Sequence, residues 1–526
     1  GYFIINGSEK TVLGQERAAE NRIYCFDGSK NTGKWKFLAE IKSVPDYKQI
    51  SPKQINLMVS SKNNGFGHGI YIQIPRIKNP IPLFVIFRAL GIISDKEICS
   101  YILLDEDNAI NKKLLYLLKA SIIDANNLLT QQQSIDYVTN NVMYTPINMT
   151  PEAGKLKKQE FTHDVLHQDL FPHCHNLQQK IYFLGHMANK LLRVSLKLTP
   201  MDDRDSYINK RIDSCGVLLN NLFRNYLNKV VKDLQKQVVR EINNGSWRCT
   251  NDYENIINLT NIYKIVKSST IENGIKRALA TGDFGIKHIS TSKVGVAQVL
   301  SRLTYVSGLS HLRRVSTPLD KSGKLTQPRQ LHNTTFGYLC PAETPEGQSV
   351  GVVKNLSYMT HLTITSNSSG LYDYVDKDII HIEDIKPIEL FGKVKVIING
   401  TIVGYAKDPK DLYIKLKKKK HNGIINIYTS IVFDYVNKEI VICNDAGRLT
   451  RPLLKVKNKR LLLNGDIVDK LKSHEFSWDD LLTSVKLDES VIEYIDPAEQ
   501  NSSLIAMKPT ELVDKKNKLK PYTHCE

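Results

Sequence analysis

The stretch Pro328–Leu356, PRQLHNTTFGYLCPAETPEGQSVGVVKNL, is the most informative part of this sequence. Prolines and a glycine restrict the backbone at its centre, Cys340–Gln348, from which two carboxylates project, Glu343 and Glu346. Two carboxylates three residues apart can serve as a general acid and base or bind a metal ion. They can also belong to a stiff turn whose glutamates pair with nearby arginines. We favour the turn, because neither a third ligand nor a nucleophile lies close in the sequence.

The segment upstream is basic. Arg313 and Arg314 are adjacent, and Lys321 and Lys324 lie on an exposed hairpin tip predicted for Thr317–Lys324. Such a loop suits phosphate, which arginine can bind through two hydrogen bonds and lysine as a point charge. On composition alone, a solvated loop with incidental charge is the favoured alternative.

Length and composition indicate a globular chain with a polyanionic partner. The 526 residues suggest about three to five domains. Hydrophobic residues make up 41% and charged residues 24%, and the net charge is +18. This charge favours nucleic acid, although a lysine-rich surface that serves solubility explains it equally well. The longest apolar stretch, Ile81–Ile93, is too short and too broken to span a bilayer, so we expect no membrane partner.

The eight cysteines are scattered, and no two have CxxC spacing. This spacing argues against a zinc knuckle and against a disulfide framework. The chain starts at Gly1 in a strand-like segment and stops at Glu526 without a polar tail, so we expect a partial sequence.

Hydrophobic periodicity predicts an α+β, multidomain fold. Helical periodicity dominates from about 84 to 240 and includes one long amphipathic helix over 212–243, and another helix is predicted over Val294–Tyr305. Residues 360–470 read as β-rich, and a short helix is predicted over Trp478–Leu482. The predicted strands are Tyr2–Ile5, Ile23–Phe26, Gly69–Ile74, Val394–Ile398, Ile425–Tyr428 and Val491–Ile495.

Recognisable motifs recur along the whole chain. They are Gly1–Lys10, Gln15–Arg17, Phe87–Ile92, Asp202–Asp205, Lys210–Arg211, Ala278–Gly282, Gly295–Arg314, Pro328–Asn333, Cys340–Gln348, Val353–Leu356, Asp445–Arg448, Glu493–Asp496 and Thr523–Glu526. In this order they resemble the second-largest (β-like) subunit of multisubunit DNA-directed RNA polymerases, of the eukaryotic and large-DNA-virus type. Any single motif would be weak, but the combination is highly specific.

The resemblance implies lobe and protrusion modules of mixed helices and antiparallel strands, a fork and a β-rich external domain. The implied segments are 1–17 as the end of the first protrusion segment, 18–211 as the lobe, 212–278 as the second protrusion segment, 279–365 as the fork, 366–475 as the external 1 domain and 476–526 as a fork return segment leading toward external 2.

The resemblance also implies functional positions in the fork. Fork loop one corresponds to Thr281–Lys293, near the RNA–DNA hybrid, and fork loop two to Ser316–Leu325, where the downstream DNA strands part. The implied phosphate contacts are Arg313, Arg314, Lys321 and Lys324. The implied wall of the active centre, which borders the nucleotide site, consists of Arg329, Gln330 and Glu346. We expect Glu346 to form an ion pair with Arg329.

The implied activity is RNA synthesis from NTPs on a DNA template, as a subunit of an assembled nucleotidyltransferase. The implied partners are the largest and smaller polymerase subunits, template DNA, the RNA–DNA hybrid and the downstream duplex, in the nucleus or, for a virus, in the cytoplasm or virus factory. In the family, an Asp-rich loop of the largest subunit holds the Mg²⁺ tightly. No Asp-x-Asp-x-Asp loop occurs in this chain. We therefore assign it no catalytic residue and no metal ligand, and expect it to be inert alone.

Other functional classes remain open. One alternative is a stand-alone nucleic-acid-binding or scaffold protein that reuses the lobe and fork. Another is a metal-dependent hydrolase that uses Asp202, Asp203 and Asp205, although the central Arg204 favours a structural ion-pair cluster.

Two further patterns also have functional and structural interpretations. A zinc site could draw on His163, His167, His173, Cys174 and His175, but Pro172 interrupts this run. The run Lys417–Lys420 is predicted to be a solvated face, with at most a weak, salt-dependent DNA contact.

Overall fold

The computed structural model describes residues 1–28, 33–48, 50–146, 150–244, 262–285, 294–319, 323, 325–514 and 520–526. The chain divides into two compact units. The first unit consists of Gly1–Ala18, Asp205–Ile364 and Ala446–Arg451. The second consists of Ala19–Arg204, Thr365–Asp445 and Pro452–Glu526.

Both units mix strands with helices. The strands are β1 (Phe3–Ile5), β2 (Ser8–Val12), β3 (Gly14–Ala18), β4 (Tyr24–Asp27), β5 (Trp35–Ser43), β6 (Lys53–Asn63), β7 (His68–Gln73), β8 (Ile81–Pro82), β9 (Lys210–Asp213), β10 (Ala297–Val299), β11 (Arg314–Ser316), β12 (Val353–Asn355), β13 (His361–Leu362), β14 (Ile379–His381), β15 (Lys395–Ile398), β16 (Thr401–Ala406), β17 (Ser430–Asp434), β18 (Glu439–Cys443), β19 (Leu449–Lys457), β20 (Arg460–Leu461), β21 (Ile492–Ile495), β22 (Ile505–Ala506) and β23 (His524–Cys525). The helices are α1 (Leu83–Ala89), α2 (Asp95–Leu103), α3 (Ala109–Asp124), α4 (Gln131–Asn140), α5 (Pro151–Asp164), α6 (Leu177–Ser195), α7 (Cys215–Asn244), α8 (Ile262–Ile265), α9 (Ser269–Thr281), α10 (Tyr305–Leu312), α11 (Ser369–Asp376), α12 (Pro387–Leu390), α13 (Pro409–His421), α14 (Gly465–Lys472), α15 (Trp478–Leu482), α16 (Pro497–Asn501) and α17 (Pro509–Val513). The α+β, multidomain prediction is confirmed.

Two sheets organise the first unit. One has the order β1-β2-β10 and is antiparallel, and the other has the order β12-β11-β3-β9, in which β11 and β3 run parallel. Helices α7 and α9 pack on each other beside the first sheet, around Leu218, Leu222 and Leu279. The long helix predicted over 212–243 is confirmed as α7. It begins at Cys215 because Lys210–Asp213 forms β9 and pairs with β3.

The predicted helix over Val294–Tyr305 is wrong. Ala297–Val299 instead forms β10 on the edge of β2, and the helix begins only at Tyr305. The cause is local, because the Thr304 hydroxyl accepts a hydrogen bond from the Ser307 main-chain N–H at 3.1 Å and caps the helix there.

The second unit contains an antiparallel sheet of order β4-β5-β6-β7-β8. The apolar stretch that follows Ile81 forms β8 and α1, and every residue of α1 is buried. Helices α2 and α6 pack in the same core. In the described part of the chain, no helix is long and apolar enough to cross a membrane.

A further sheet in this unit has the order β14-β16-β15-β18-β17. The predicted strand Ile425–Tyr428 is wrong, because the Asn426 side chain accepts the Tyr428 main-chain N–H at 2.9 Å and forms a turn. The strand begins two residues later, at Ser430. The lysine run lies on α13, which Asp408 caps at its N-terminus.

Candidate nucleic-acid interface

The β12-β11-β3-β9 sheet positions the predicted fork residues. Strand β11 lies between β12 and β3, so it is held by hydrogen bonds on both edges. Its central residue, Val315, is 1% exposed and packs with Tyr338, Leu339 and Ile212. Side chains alternate along a strand, so Arg314 and Ser316 point away from this core.

Arg314 has a guanidinium nitrogen without a partner among the described residues. Its side chain is half-buried, and its Nε is inaccessible to solvent and lacks a hydrogen-bond partner in the described parts of the chain. Burial and then the charge of Arg314 lower the pKa of His311. The His311 ring has hydrogen-bonding contacts with the Ser301 main-chain N–H at 3.0 Å and with Gln298 Oε1 at 3.1 Å, as expected for a neutral imidazole. Among the described residues, Arg314 therefore has no ion-pair partner, and His311 does not add a positive charge beside it.

The Arg313 guanidinium is hydrogen-bonded to main-chain oxygens of its own chain. Its Nη2 donates to the main-chain oxygens of Ser357 at 2.6 Å, Thr360 at 3.0 Å and Tyr358 at 3.1 Å. The side chain thereby fastens the turn that follows β12. The two adjacent arginines therefore differ, since Arg313 stabilises a turn and Arg314 has no partner within the described ranges.

The predicted loop residues Lys321 and Lys324 lie outside the described residues, as does most of the predicted fork loop one, 286–293. Within the predicted fork loop two, Leu319, Gly323 and Leu325 are among the described residues. Leu325 is 64% exposed.

The predicted ion pair between Arg329 and Glu346 is not formed. The Arg329 guanidinium donates to the main-chain oxygens of Gln348 at 2.5 Å and Val350 at 3.0 Å. On its other side it donates to Leu325 O at 3.2 Å and Gly323 O at 3.3 Å. Arg329 thus links the end of the basic loop to the turn after Glu346, whose own side chain is exposed, like that of Gln330.

The turn predicted for Cys340–Gln348 is present and tightly held. The Thr344 hydroxyl donates to Val353 O at 3.1 Å and accepts the Gly351 N–H at 2.9 Å. Gly351 has φ +69°, and a Cβ there would lie 2.2 Å from Arg329 O, so the position requires glycine. The Glu343 carboxylate accepts from the Ser310 hydroxyl rather than from an arginine.

A buried carboxylate that the sequence analysis did not single out lies at the centre of this sheet. Glu16 on β3 is 2% exposed and accepts hydrogen bonds from Thr317 Oγ1 at 2.8 Å, Lys354 Nζ at 3.2 Å, Lys210 Nζ at 3.3 Å and the Tyr207 hydroxyl. Burial alone would raise its pKa, but the two ammonium groups and the two hydroxyls hold the pKa of Glu16 below its usual value. Burial and Glu16 together raise the pKa of Tyr207 well above its usual value. The residue type does not predict this burial, because glutamates are usually exposed to solvent.

Comparisons with known proteins decide the family. The models for RNA polymerase Rpb2 match in order, with domain 2 at residues 19–213, domain 3 at 298–362, domain 4 at 396–457 and domain 5 at 478–526. The whole chain is 38% identical to DNA-directed RNA polymerase II subunit RPB2 of Encephalitozoon cuniculi and 34% identical to DNA-directed RNA polymerase II subunit 2 of Arabidopsis thaliana. Over 98% of its length it is 30% identical to DNA-directed RNA polymerase subunit 2 of Acanthamoeba polyphaga mimivirus.

The chain belongs to the family of second-largest subunits of DNA-directed RNA polymerases. It spans 44%, 44% and 42% of the length of these three relatives, respectively. The resemblance inferred from the motifs is confirmed.

In this polymerase-subunit segment, the acidic cluster near Asp202 has a structural role. The Asp202 carboxylate accepts from Lys190 Nζ at 3.0 Å and from the Cys25 main-chain N–H at 2.8 Å. Arg204 lies over the Phe26 ring at 3.5 Å from its centroid. These contacts fasten the segment after α6 to strand β4.

The histidine run considered as a zinc site also has a structural role. His173 is 2% exposed, and its Nδ1 lies 2.6 Å from Ser43 Oγ. Burial, and then the charge of Lys180, lower the pKa of His173 to about 3, so the ring is neutral. Its edge packs on Phe183 at 4.5 Å between centroids. Across the described ranges, no group of three or more histidine, cysteine, aspartate or glutamate side chains is placed to hold a metal ion.

Proposed function

We propose that this chain is a working part of a DNA-dependent RNA polymerase. In this proposal it contributes the lobe, protrusion, fork and external 1 segments, within the boundaries given above, of a second-largest subunit. It helps to form the DNA-binding cleft, the wall of the active centre and the fork that separates the downstream strands while RNA is made from NTPs. Family membership supports the proposal, and activity belongs to the assembled complex.

The observation that carries the nucleic-acid role is the half-buried guanidinium of Arg314, which has no anionic partner among the described residues. A phosphate that reached its terminal nitrogens would supply that partner through short, charge-assisted hydrogen bonds. Arg314 stands on a strand held from both edges, so the guanidinium is presented from a rigid base. Arg313 and the loop lysines, Lys321 and Lys324, belong to the same proposed phosphate-contacting set.

The proposed wall consists of Arg329, Gln330 and Glu346. Arg329 binds main-chain oxygens on both sides, and the side chains of Gln330 and Glu346 are exposed. In this proposal these exposed side chains border the nucleotide site. We assign no proton transfer to these residues.

A single substitution tests the phosphate contact. In the assembled polymerase, Arg314→Gln should reduce the dependence of log K on log salt for a forked DNA by about 0.9, the value for one phosphate contact. Binding to different sequences should weaken about equally, because a phosphate contact does not read bases. The measurement is a salt titration of DNA affinity.

Lys377→Gln provides a charge-matched control. Lys377 is exposed and lies on the external segment, so its replacement removes the same formal charge at a position outside the proposed fork. Its slope should equal that of the parent enzyme. If both variants reduce the slope equally, only net charge matters and the contact is refuted.

Mg²⁺ is the metal that polymerase chemistry of this family implies. Within the described residues, no group of three or more histidine, cysteine, aspartate or glutamate side chains is placed to hold it. We infer that the ion is held mainly by the largest subunit, and we assign no catalytic step to residues of this chain.

The proposed partners are the largest and smaller polymerase subunits, template DNA, the RNA–DNA hybrid and the downstream duplex, with NTPs nearby. The proposed location is the nucleus, or the cytoplasm or virus factory if the gene is viral. A stand-alone scaffold that reuses the lobe and fork is not favoured, because four consecutive polymerase domain models match in order.

A further inference from the structure

The Glu16 carboxylate accepts hydrogen bonds from three separate chain segments, around residues 207–210, 317 and 354. Its donors come from the turn before β9, from β9, from β12 and from the first residue after β11. Thr317 is the donor after β11, and it opens the segment that runs to Leu325. An ionised carboxylate in this position is stabilised only while its donors stay in place, so it constrains the three segments together.

We infer that Glu16 is a positioning residue for the strand-separating fork. Through Thr317 it fixes the start of fork loop two, and through Thr317 and Lys354 it fixes strands β11 and β12, which carry and flank Arg314. This inference rests on the proposed function of the fork, and it adds a residue that touches neither nucleic acid nor substrate.

Different hydrogen bonds hold the two ends of the predicted fork loop two. At the start, Thr317 donates its main-chain N–H to Val352 O at 2.9 Å and its hydroxyl to Glu16 at 2.8 Å. At the end, Arg329 donates to Gly323 O and Leu325 O. Among the described residues of this loop, the Thr317 hydroxyl is the side chain that donates to Glu16.

The pairing of β11 with β12 connects the Glu16 contacts to the position of Arg314. Val315 pairs with Lys354 across the strand pair, and Lys354 donates to the same carboxylate as Thr317. Arg314 lies directly before Val315 and opposite Asn355. Thr317 lies three residues after Arg314, so loss of its hydrogen bond to Glu16 would free the end of β11.

The test uses Thr317→Val in the assembled polymerase, because valine keeps the shape and removes only the hydroxyl. A template carries 2-aminopurine one position downstream of the base that pairs with the incoming nucleotide. The loss of one hydrogen bond to a charged group changes an equilibrium about tenfold. We expect the open fraction at this position, read as fluorescence, to fall at least about threefold.

Thr335→Val is the matched control for a purely structural effect. Thr335 is also buried in the first unit, and its hydroxyl donates to His332 O at 2.5 Å and not to Glu16. Both variants should lower the thermal midpoint to a similar extent, and only Thr317→Val should lower the fluorescence. Equal fluorescence in the two variants would overturn the positioning role.

The Arg314→Gln result separates this inference from the proposed function. A reduced salt slope for Arg314→Gln with parent-like fluorescence for Thr317→Val overturns the role of Glu16 alone. An unchanged salt slope refutes the phosphate contact itself, whatever the fluorescence shows.

Discussion

Replacing Lys420 by methionine should lower the free energy of unfolding of this chain by about 3–5 kcal/mol, the usual cost of removing one partner from a buried ion pair. The Lys420 ammonium is 2% exposed and lies 3.1 Å from both oxygens of Glu499 and 3.3 Å from Glu493. Burial would raise the pKa of Glu493, but Lys417 and Lys420 hold it well below its usual range. The variant therefore leaves ionised, buried carboxylates short of a counter-charge.

Lys418→Met is the matched control on the same helix. Lys418 is exposed, so its replacement should change stability by no more than about 0.5 kcal/mol. Urea unfolding of the purified chain, followed by circular dichroism, measures both variants. Equal, small effects would mean that the buried cluster contributes nothing, as expected of a solvated lysine face.

Acidification should destabilise the second unit through His173. Its pKa of about 3 lies below the value of about 6.5 expected in the unfolded chain, so between these values only the unfolded state binds the proton. The stability contribution is complete above pH 6.5 and is lost as the pH falls toward 3. The loss reaches about 5 kcal/mol, at about 1.4 kcal/mol per pH unit.

The measurement is the free energy of unfolding from pH 7 to pH 4. His173→Gln should flatten the curve, whereas His163→Gln should leave its slope unchanged, because His163 is exposed. A slope that persists in His173→Gln would assign the acid sensitivity to other groups. Lys180 and His175 are the charged and titratable groups that also act on His173, so their variants would then be measured.

Sequence periodicity predicts long, regular elements well. The α7 pattern extends over many residues, so the helix is recognised, although its start shifts by three residues where a strand pairs first. For short helices and strands, a single hydrogen bond can decide whether the element forms and where it begins. The Asn426 side chain replaces a predicted strand with a turn, and the Thr304 hydroxyl delays a helix to Tyr305.

The role of a charged side chain is harder to predict from sequence, because its burial depends on residues that are distant in the chain. The run Lys417–Lys420 has the composition of a solvated face, yet Lys417 and Lys420 point at carboxylates that come 76 and 79 residues later. Glu16 is likewise buried, and its hydrogen-bond donors come from three other chain segments. Arg313 and Arg314 are indistinguishable in sequence, and only the three carbonyl oxygens around Arg313 separate their roles.

The central claim is that the fork of this chain lies against the downstream DNA in a working polymerase. Photo-crosslinking tests it most directly, with benzoylphenylalanine in place of Leu325 and, as a control, of Ile414 on α13. Both side chains are similarly exposed, at 64% and 63%. We predict that, in an active assembled enzyme, position 325 crosslinks to downstream DNA and position 414 does not. An active enzyme that shows no DNA crosslink at 325, or equal crosslinks at both positions, would contradict the claim.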